Sequence, residues 1–95
     1  MLYYVYIIQS EKDRTFYKGF TMQPLLRLAQ HNNKESQYTS HKVPWKIIHL
    51  EILATKSEAL KREKVLKKYS HQQIMMLSAS DKNQLTQFLL SGGGV

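Results

Sequence analysis

Residues 2–21, with the sequence LYYVYIIQSEKDRTFYKGFT, decide the fold of this chain. β-Branched and aromatic residues fill positions 2–9 and again 15–21, and the polar residues 10–13 separate the two runs. Two such runs joined by a short polar segment are typical of a β-hairpin. The start of the chain is therefore predicted to form two antiparallel strands.

A four-residue loop at 10–13 would set the register of this hairpin. Antiparallel pairing then places Tyr6 opposite Tyr17 and Tyr4 opposite Gly19, and directly opposed side chains project from the same face of a sheet. Gly19 would leave a gap through which a phosphate backbone could approach closely. The two phenols also have a purely structural interpretation, an aromatic cross-strand pair that stabilises the hairpin, and the hairpin considered alone favours it.

The middle of the chain predicts a helix, a loop and a third strand. Pro24 suits the first turn of a short helix that runs to about Gln30. Residues 32–42 are polar and loop-like, whereas residues 45–53 form an apolar run. That run is long and apolar enough to be the central strand of the sheet.

Helices are predicted after the third strand. Thr55, followed three residues later by Glu58, forms a capping-box pattern, so a helix should run from there to about Tyr69. Two shorter helices should follow, the first containing Ile74, Met75 and Leu77 and the second beginning near Ser80 or Asp81. One domain over residues 1–90 accounts for all these elements, and residues 91–95 are expected to be a disordered tail because they have nothing to pack.

Composition restricts the chemistry and the location of the protein. At 42% apolar residues, a chain of 95 residues can form one compact core. The absence of cysteine excludes disulfides, thiolate nucleophiles and cysteine-based zinc sites, so any metal must be held by oxygen or imidazole. No apolar stretch approaches the roughly 18 residues of a membrane span, and the N-terminus lacks a signal-peptide pattern. We therefore expect a cytoplasmic protein without a membrane partner.

The charge of the chain points to a polyanionic partner. The sequence contains 14 Lys and Arg against 7 Asp and Glu, a formal net charge of +7, and nucleic acid is the leading candidate. Much of the positive charge lies on the helix predicted after Thr55. A solvated helix face would look similar, so charge alone leaves both interpretations open. The lysines expected to contact nucleic acid are Lys18, Lys42, Lys61, Lys64, Lys67 and Lys68.

Arg27 and His31 are four residues apart on the first predicted helix and share one of its faces. Leu25, Leu28 and Ala29 would turn the other way, so Arg27 and His31 are expected to point out of the core. An arginine is suited to holding phosphate oxygens, and its guanidinium keeps its charge. The alternative is an ordinary solvated arginine.

Glu63 is the most informative residue of the helix that follows Thr55. At roughly 100° per residue, it lies between Ala59 and Leu60 on one side and Leu66 on the other, on the apolar face. Carboxylates rarely occupy such positions without a reason. A buried salt bridge is one interpretation and a metal ligand is the other. A single carboxylate suits magnesium, which keeps most of its waters and takes phosphate oxygens as further ligands.

These residues together resemble the signature of the GIY-YIG nucleases. Tyr4-Val5-Tyr6, Tyr17-Lys18-Gly19, Arg27 and Glu63 match that signature in order and spacing. The segment TKSEALKREKVLKKY at 55–69, with Tyr38-Thr39-Ser40 and Pro44-Trp45-Lys46, is similar to the small stand-alone bacterial branch of the family. The resemblance covers residues 1 to about 69 and implies an α+β fold, a three-stranded antiparallel sheet flanked by helices.

The resemblance implies a role for each matching residue. One of Tyr6 and Tyr17 is expected to take the proton from an attacking water, and His31 to assist that transfer. Arg27 would neutralise the phosphate, and Glu63 would bind Mg²⁺ or Mn²⁺. A phenol with a pKa near 10 is a poor base at neutral pH, so we expect the metal and Arg27 to lower it. His41, His49 and His71 show no metal-ligand spacing and are expected to be structural or surface residues.

The implied activity is that of a DNA endonuclease that hydrolyses phosphodiester bonds with one divalent metal. Three positions depart from the family pattern: Tyr4 replaces the first glycine, Lys18 replaces an aliphatic residue, and no residue maps onto the asparagine that larger members use. The first alternative is a nucleic-acid-binding module of the same fold without catalysis. A second is a protein-interaction domain whose basic helix meets an acidic partner.

Overall fold

A computed structural model describes residues 1–92 of the chain. Three antiparallel strands form one sheet, and helices cover both of its faces. A short 3₁₀ helix (Ser40–Lys42) precedes the third strand. The elements in chain order are β1 (Tyr3–Ser10), β2 (Phe16–Thr21), α1 (Pro24–Asn32), β3 (Trp45–Leu53), α2 (Lys56–Leu66), α3 (His71–Ser78) and α4 (Leu85–Leu90). The predicted α+β fold with a three-stranded antiparallel sheet is confirmed.

The strand order is β2-β1-β3, so β1 is the central strand. The prediction that β3 occupies the centre was wrong. Every residue of β1 after Tyr3 is buried, because α1 and α4 pack on one face of the sheet and α2 and α3 on the other. Strand β3 lies at an edge of the sheet, and it is long and apolar because that edge is also covered.

Two polar side chains cover the free edge of β3. The Asn83 carboxamide accepts a hydrogen bond from the backbone amide of Leu50 (3.2 Å) and donates one to the carbonyl of Ile48 (2.8 Å). The Gln84 side chain accepts from the amide of Ile52 (2.8 Å), and its own backbone amide donates to Leu50 (2.7 Å). These groups take the place of a fourth strand and protect the edge from pairing with other chains.

The β1–β2 hairpin has a register different from the predicted one. Tyr6 pairs with Gly19, and Tyr17 pairs with Ile8. The loop contains four residues, but they are 11–14, because the Ser10 amide bonds to the carbonyl of Thr15 (2.9 Å). The pairing is therefore displaced by two positions along β2. A displacement of two keeps every side chain on its predicted face, since side chains alternate with a period of two.

The helices follow the predicted pattern with shifted ends. Helix α1 extends to Asn32, and α2 ends at Leu66 instead of near Tyr69. The Thr55 hydroxyl caps α2 by accepting from the amide of Glu58 (3.1 Å), while the Glu58 carboxylate accepts from that hydroxyl (2.9 Å) and not from the backbone. Helix α3 lies where it was predicted, and α4 begins at Leu85, later than expected.

The end of the described chain is a turn. The Ser91 amide donates to the carbonyl of Gln87 (3.2 Å), and Gly92 follows with its amide bonded to Leu89 (3.2 Å). The rest of the tail predicted to be disordered, residues 93–95, lies outside the described residues. Within residues 1–92, no helix has the length and apolar character needed to cross a membrane.

Candidate active site

Strands β1 and β2 and helix α1 bring three of the predicted site residues together. Tyr6 from β1 and Tyr17 from β2 project from the same face, with their ring centroids 6.4 Å apart. His31 from α1 lies against both, at 5.9 Å from the Tyr6 ring and 5.0 Å from the Tyr17 ring. The predicted direct opposition of the two tyrosines is wrong, but the diagonal arrangement still places them side by side.

His31 points into the protein, contrary to the prediction that it would face outward. Its side chain is completely buried, whereas Leu25 and Ala29 are exposed. Helix α1 therefore turns its His31 side towards the sheet. The burial is tolerated because both ring nitrogens are satisfied. Nε2 lies 2.9 Å from the Tyr6 hydroxyl, and Nδ1 lies 2.8 Å from the Thr39 hydroxyl.

The His31 ring is neutral at physiological pH. Burial, and then the positive charge of Arg27, lower the pKa of His31 to about 4. A neutral imidazole carries one proton and one acceptor nitrogen. His31 can therefore receive a proton from a neighbouring donor.

Tyr6 is a protonated phenol. Burial is the main cause that raises its pKa to about 12, and the Tyr17 phenol and the Glu63 carboxylate act in the same direction. Arg27 opposes them, as a charge and as a hydrogen-bond donor. Arg27 lowers the pKa of Tyr6 as expected, but burial raises it by more. The net shift of the Tyr6 pKa is therefore opposite to the predicted one.

Gly19 is required by the position of Tyr6. A Cβ atom at residue 19 would lie 2.5 Å from the Tyr6 hydroxyl oxygen, well inside van der Waals contact. The space that glycine leaves is therefore filled by the phenol. The predicted gap for a phosphate backbone at this position is wrong, because the Tyr6 ring occupies it.

Arg27 and Glu63 complete the group of predicted catalytic residues. Arg27 is half-buried on α1, and its Nη1 donates to the side-chain oxygen of Gln30 (3.1 Å). Glu63 lies on α2, across the sheet from α1, yet the charges of both residues act on the Tyr6 phenol. Arg27 lies on the α1 side of the sheet and Glu63 on the α2 side, and their charges shift the Tyr6 pKa in opposite directions.

The surroundings of Glu63 fit a metal ligand better than a buried ion pair. Its side chain is 18% exposed and lies between the buried residues Ala59 and Leu66, while Leu60 is more exposed than predicted. Its ion-pair partner is the exposed Lys67, at a long 3.7 Å. No cluster of three potential ligand side chains occurs within residues 1–92. A metal at Glu63 would need water and substrate oxygens as further ligands, as Mg²⁺ prefers.

The buried ion pair of α2 belongs instead to the preceding residue, Arg62. Its Nε and Nη2 donate to the two carboxylate oxygens of Glu51 at 2.7 and 3.0 Å. The buried His49 contacts the same carboxylate (2.8 Å) and is structural, as predicted. Burial alone would raise the pKa of Glu51, but the hydrogen bonds from His49 and Arg62 lower it to about 2. This pair fixes α2 on the sheet beside Glu63.

An open cleft runs along the free edge of β2, and we call it the edge cleft. Its volume is about 480 Å³, and it is lined by Phe16, Tyr17, Lys18, Tyr38 and Lys67. Lys18 projects from the opposite face to Tyr17, but both reach the cleft because β2 is an edge strand. Burial lowers the pKa of Lys18. Tyr38, which was not among the predicted site residues, is 85% exposed.

The other predicted nucleic-acid-binding lysines differ in their availability. Lys61, Lys64 and Lys68 are exposed on α2 and just beyond its end. Lys42 is half-buried and forms an ion pair with Asp13 (3.1 Å), so much of its charge is already neutralised. Among residues 1–92, Asn83 is the one asparagine that follows α2, and its side chain is engaged at the edge of β3.

The fold and the site define the class of protein. Residues 2–75 match the family model described as the GIY-YIG catalytic domain, and the chain belongs to that family of endonucleases, whose substrate is nucleic acid. The resemblance stated from the sequence is thereby confirmed.

The individual relatives are UPF0213 proteins. The chain is 39% identical over 72 residues to the one from Staphylococcus haemolyticus, covering 75% of this chain and 87% of the relative. It is 33% identical over 93 residues to the one from Streptococcus pneumoniae, covering 95% and 93%. The solution NMR structure of a UPF0213 protein from Bacillus halodurans is similar, with a TM-score of 0.55, 26% identity and coverage of 86% and 87%.

Proposed function

We propose that this protein is a DNA endonuclease that hydrolyses phosphodiester bonds with an activated water and one divalent metal held by Glu63. The observation that supports this most is the 2.9 Å contact between the Tyr6 hydroxyl and His31 Nε2, beside Arg27. A buried phenol bonded to a neutral imidazole is an acid–base pair. In a domain that only binds nucleic acid, the same contact would serve only to satisfy two buried polar groups.

In this proposal the proton of the water passes through Tyr6 to His31. Because the pKa of Tyr6 is raised to about 12, the phenol cannot be a base while it keeps its own proton. It can accept the proton of the attacking water only as it passes its own proton to His31 Nε2. The hydroxide then attacks phosphorus and the bond to the leaving sugar oxygen breaks. The negative charge of the bound phosphate raises the pKa of His31 from its low value, which favours this transfer.

Arg27 and Glu63 act on the phosphate in this proposal. The Arg27 guanidinium keeps its charge throughout and pairs with the phosphate oxygens. When bound at Glu63, a divalent ion such as Mg²⁺ or Mn²⁺ would polarise the phosphate and stabilise the leaving oxygen. Tyr17 lies between Tyr6 and the edge cleft and would contact the substrate or the water.

The edge cleft provides groups suited to nucleic acid. The ammonium groups of Lys18 and Lys67 would pair with phosphates, and the exposed ring of Tyr38 offers a surface on which a base can stack. The net charge of +7 adds a long-range attraction for a polyanion. We also propose that the protein is cytoplasmic and that its substrate is DNA rather than RNA.

A cleavage assay on a panel of substrates tests the proposal. Plasmid, branched, single-stranded and damaged DNA, together with RNA, would be incubated with the protein in Mg²⁺ or Mn²⁺ and in excess chelator. We expect metal-dependent cuts in at least one DNA substrate. DNA binding without cleavage of any substrate would favour the catalytically inactive module instead.

Glu63→Gln is the variant that tests the metal site. It removes a ligand charge at nearly constant volume, so we expect loss of metal-dependent cleavage with DNA binding nearly unchanged. Glu35→Gln, at an exposed position that does not line the edge cleft, is the matched control and should cleave normally. Near wild-type cleavage by Glu63→Gln in Mg²⁺ would disprove the metal assignment.

A further inference from the structure

We propose that Thr39 is a positioning residue that fixes the neutral His31 ring in its Nδ1–H tautomer and so directs the unprotonated Nε2 at the Tyr6 hydroxyl. The tautomer is a property of the protein alone. Its consequence for cleavage rests on the function proposed above. Thr39 lies in the segment between α1 and β3, where the sequence predicted a polar loop.

The two side chains meet in the interior. Thr39 is 1% exposed and His31 is completely buried, so solvent cannot supply alternative partners for the imidazole. The Thr39 hydroxyl oxygen lies 2.8 Å from His31 Nδ1, and the Tyr6 hydroxyl lies 2.9 Å from Nε2. Each ring nitrogen thus has one protein partner, and the tautomer depends on which partner donates.

The far end of this chain of hydrogen bonds accepts only. The Thr39 hydroxyl lies 3.4 Å from the carbonyl oxygen of Ser36 and donates to it. A hydroxyl has a single proton, so when Thr39 donates it to Ser36 the hydroxyl presents a lone pair to His31. Nδ1 then carries the ring proton and donates it to Thr39.

The near end of the chain fits the same direction. Tyr6 keeps its proton, because burial raises its pKa to about 12, and its hydroxyl lies 2.9 Å from His31 Nε2. With Nδ1 protonated, Nε2 carries the lone pair of the ring and accepts from the Tyr6 hydroxyl. The direction then runs from Tyr6 through His31 to Thr39 and the backbone.

Further hydrogen bonds hold the Thr39 backbone in place. The indole of Trp45 donates to the Thr39 carbonyl (3.0 Å), and the Thr39 amide donates to Ser36 (3.2 Å). Trp45 is itself held by the Asn32 carboxamide, which accepts from its amide (2.6 Å) and donates to its carbonyl (3.0 Å). The end of α1 and the start of β3 thus fix the position of the hydroxyl.

Loss of the Thr39 hydroxyl would release this constraint. Without an acceptor at Nδ1, the tautomer with the ring proton on Nε2 becomes more stable, because Nε2–H can donate a hydrogen bond to the Tyr6 oxygen. The hydrogen bond between Tyr6 and His31 would then be reversed. His31 would no longer present a lone pair to the proton of Tyr6, although both side chains would remain in contact.

The tautomer can be measured directly by NMR. In ¹⁵N-labelled protein at pH 7, long-range ¹H–¹⁵N correlations distinguish a protonated from an unprotonated ring nitrogen, and a His31→Gln spectrum identifies the His31 signals. We expect Nδ1–H in the wild type and in Thr39→Ser, which keeps the hydroxyl. Thr39→Val, which keeps the shape, should shift the population to Nε2–H. An Nε2–H tautomer in the wild type, or no change in Thr39→Val, would overturn the proposal.

Cleavage kinetics provide a second measurement. Thr39→Val should lower kcat by roughly 100-fold with KM nearly unchanged, because the reacting groups are misdirected while the substrate still binds. Thr39→Ser should restore most of the rate. If the wild type cuts no substrate, the proposed function fails, yet the NMR result still decides the tautomer. If Thr39→Val does not fold, the wild-type and Thr39→Ser spectra decide it alone.

Discussion

At the scale of single residues, the candidate site depends on the protonation states of two side chains, Tyr6 and His31. Tyr6 is kept protonated and His31 is kept neutral by the same cause, burial in the core on one face of the sheet. In water at neutral pH an imidazole is partly charged, and burial removes that charge from His31. In the proposed mechanism, the contact between the two side chains is the path of the proton.

The Tyr6 hydroxyl can be tested by Tyr6→Phe. The ring packing is kept, but cleavage should slow by roughly 100- to 10,000-fold, as for a lost acid–base group. The unpartnered His31 nitrogen should also cost about 1–3 kcal/mol of stability. Cleavage rates would be measured well below the melting temperature, with Tyr4→Phe as the control because Tyr4 is buried on the same strand and face.

The second phenol is tested in the same way by Tyr17→Phe, which should also slow cleavage if its hydroxyl contacts the water or the phosphate. Normal cleavage by both Phe variants would remove the phenols from the mechanism. The tyrosines would then be the aromatic pair that the hairpin alone suggested.

Burial of neutral His31 predicts a pH dependence of stability. Its pKa is lowered in the folded state to about 4, from a usual value of 6.5, so the unfolded chain binds more protons between these values. Stability should be fully present above pH 6.5 and should fall as the pH decreases towards 4, by at most about 3 kcal/mol from this group. Urea unfolding of the wild type and His31→Gln at pH 7 and pH 5 would measure it. An equal loss in both proteins would contradict the prediction.

At the scale of elements, helix α2 combines three separate tasks. Ala59 and Leu66 bury its apolar face, Arg62 anchors it to β3, and Glu63 lies next to that anchor at the candidate site. Its lysines occupy the remaining surface, and Lys67, which directly follows the helix, lines the edge cleft. The same helix therefore carries the proposed metal ligand and much of the positive charge.

The lysines of α2 and its C-terminal end are expected to contribute affinity without sequence preference. Replacing Lys61, Lys64, Lys67 and Lys68 with Gln should reduce the salt dependence of DNA binding by about one unit of the log–log slope for each of these lysines that pairs with a phosphate. Fluorescence anisotropy over a range of salt concentrations would measure the slope. Lys82→Gln, at an exposed position outside α2 and the edge cleft, is the control. An unchanged slope in the fourfold variant would show that DNA lies elsewhere.

At the scale of the whole molecule, the sheet separates two cores, and the candidate site residues lie on both sides of it. Arg27 is on the helix that covers one face and Glu63 on a helix that covers the other, and both charges act on the pKa of Tyr6. The position of α2 depends on the buried pair between Arg62 and Glu51. That pair therefore links the stability of the molecule to the geometry of the site.

The link can be tested by Arg62→Met. The change leaves Glu51 buried with its charge less compensated, and removal of one partner of a buried pair costs about 3–5 kcal/mol. Chemical unfolding would measure this loss. The double variant Arg62→Met with Glu51→Gln should regain much of it, because the buried charge is then gone. Equal stability of the single and double variants would mean that the pair does not hold α2 in place.

The sequence by itself determined the kinds of elements and the faces on which Tyr6, Tyr17 and Glu63 lie. Alternation with a period of two identified the strands. The predicted loop was misplaced by one residue, which shifts the pairing along β2 by two positions. A shift of two leaves Tyr6 and Tyr17 on the same face of the sheet. Helical periodicity likewise predicted that Glu63 lies on the buried side of α2. Such predictions of the face on which a residue lies are confirmed because local periodicity does not depend on the rest of the fold.

Only the tertiary structure decided the orientation of α1, the place of β3 and the environment of each ionisable group. Of the α1 residues expected to face inward, Leu28 packs on the core, whereas Leu25 and Ala29 are exposed. The burial of His31 could not be predicted, because its energy depends on Tyr6 and Thr39, which are 25 and 8 residues away in sequence. Strand β3 can lie at the edge because Asn83 and Gln84 cover it from far along the chain. The direction of each pKa shift follows from burial and distant charges, and these exist only once the whole chain has folded.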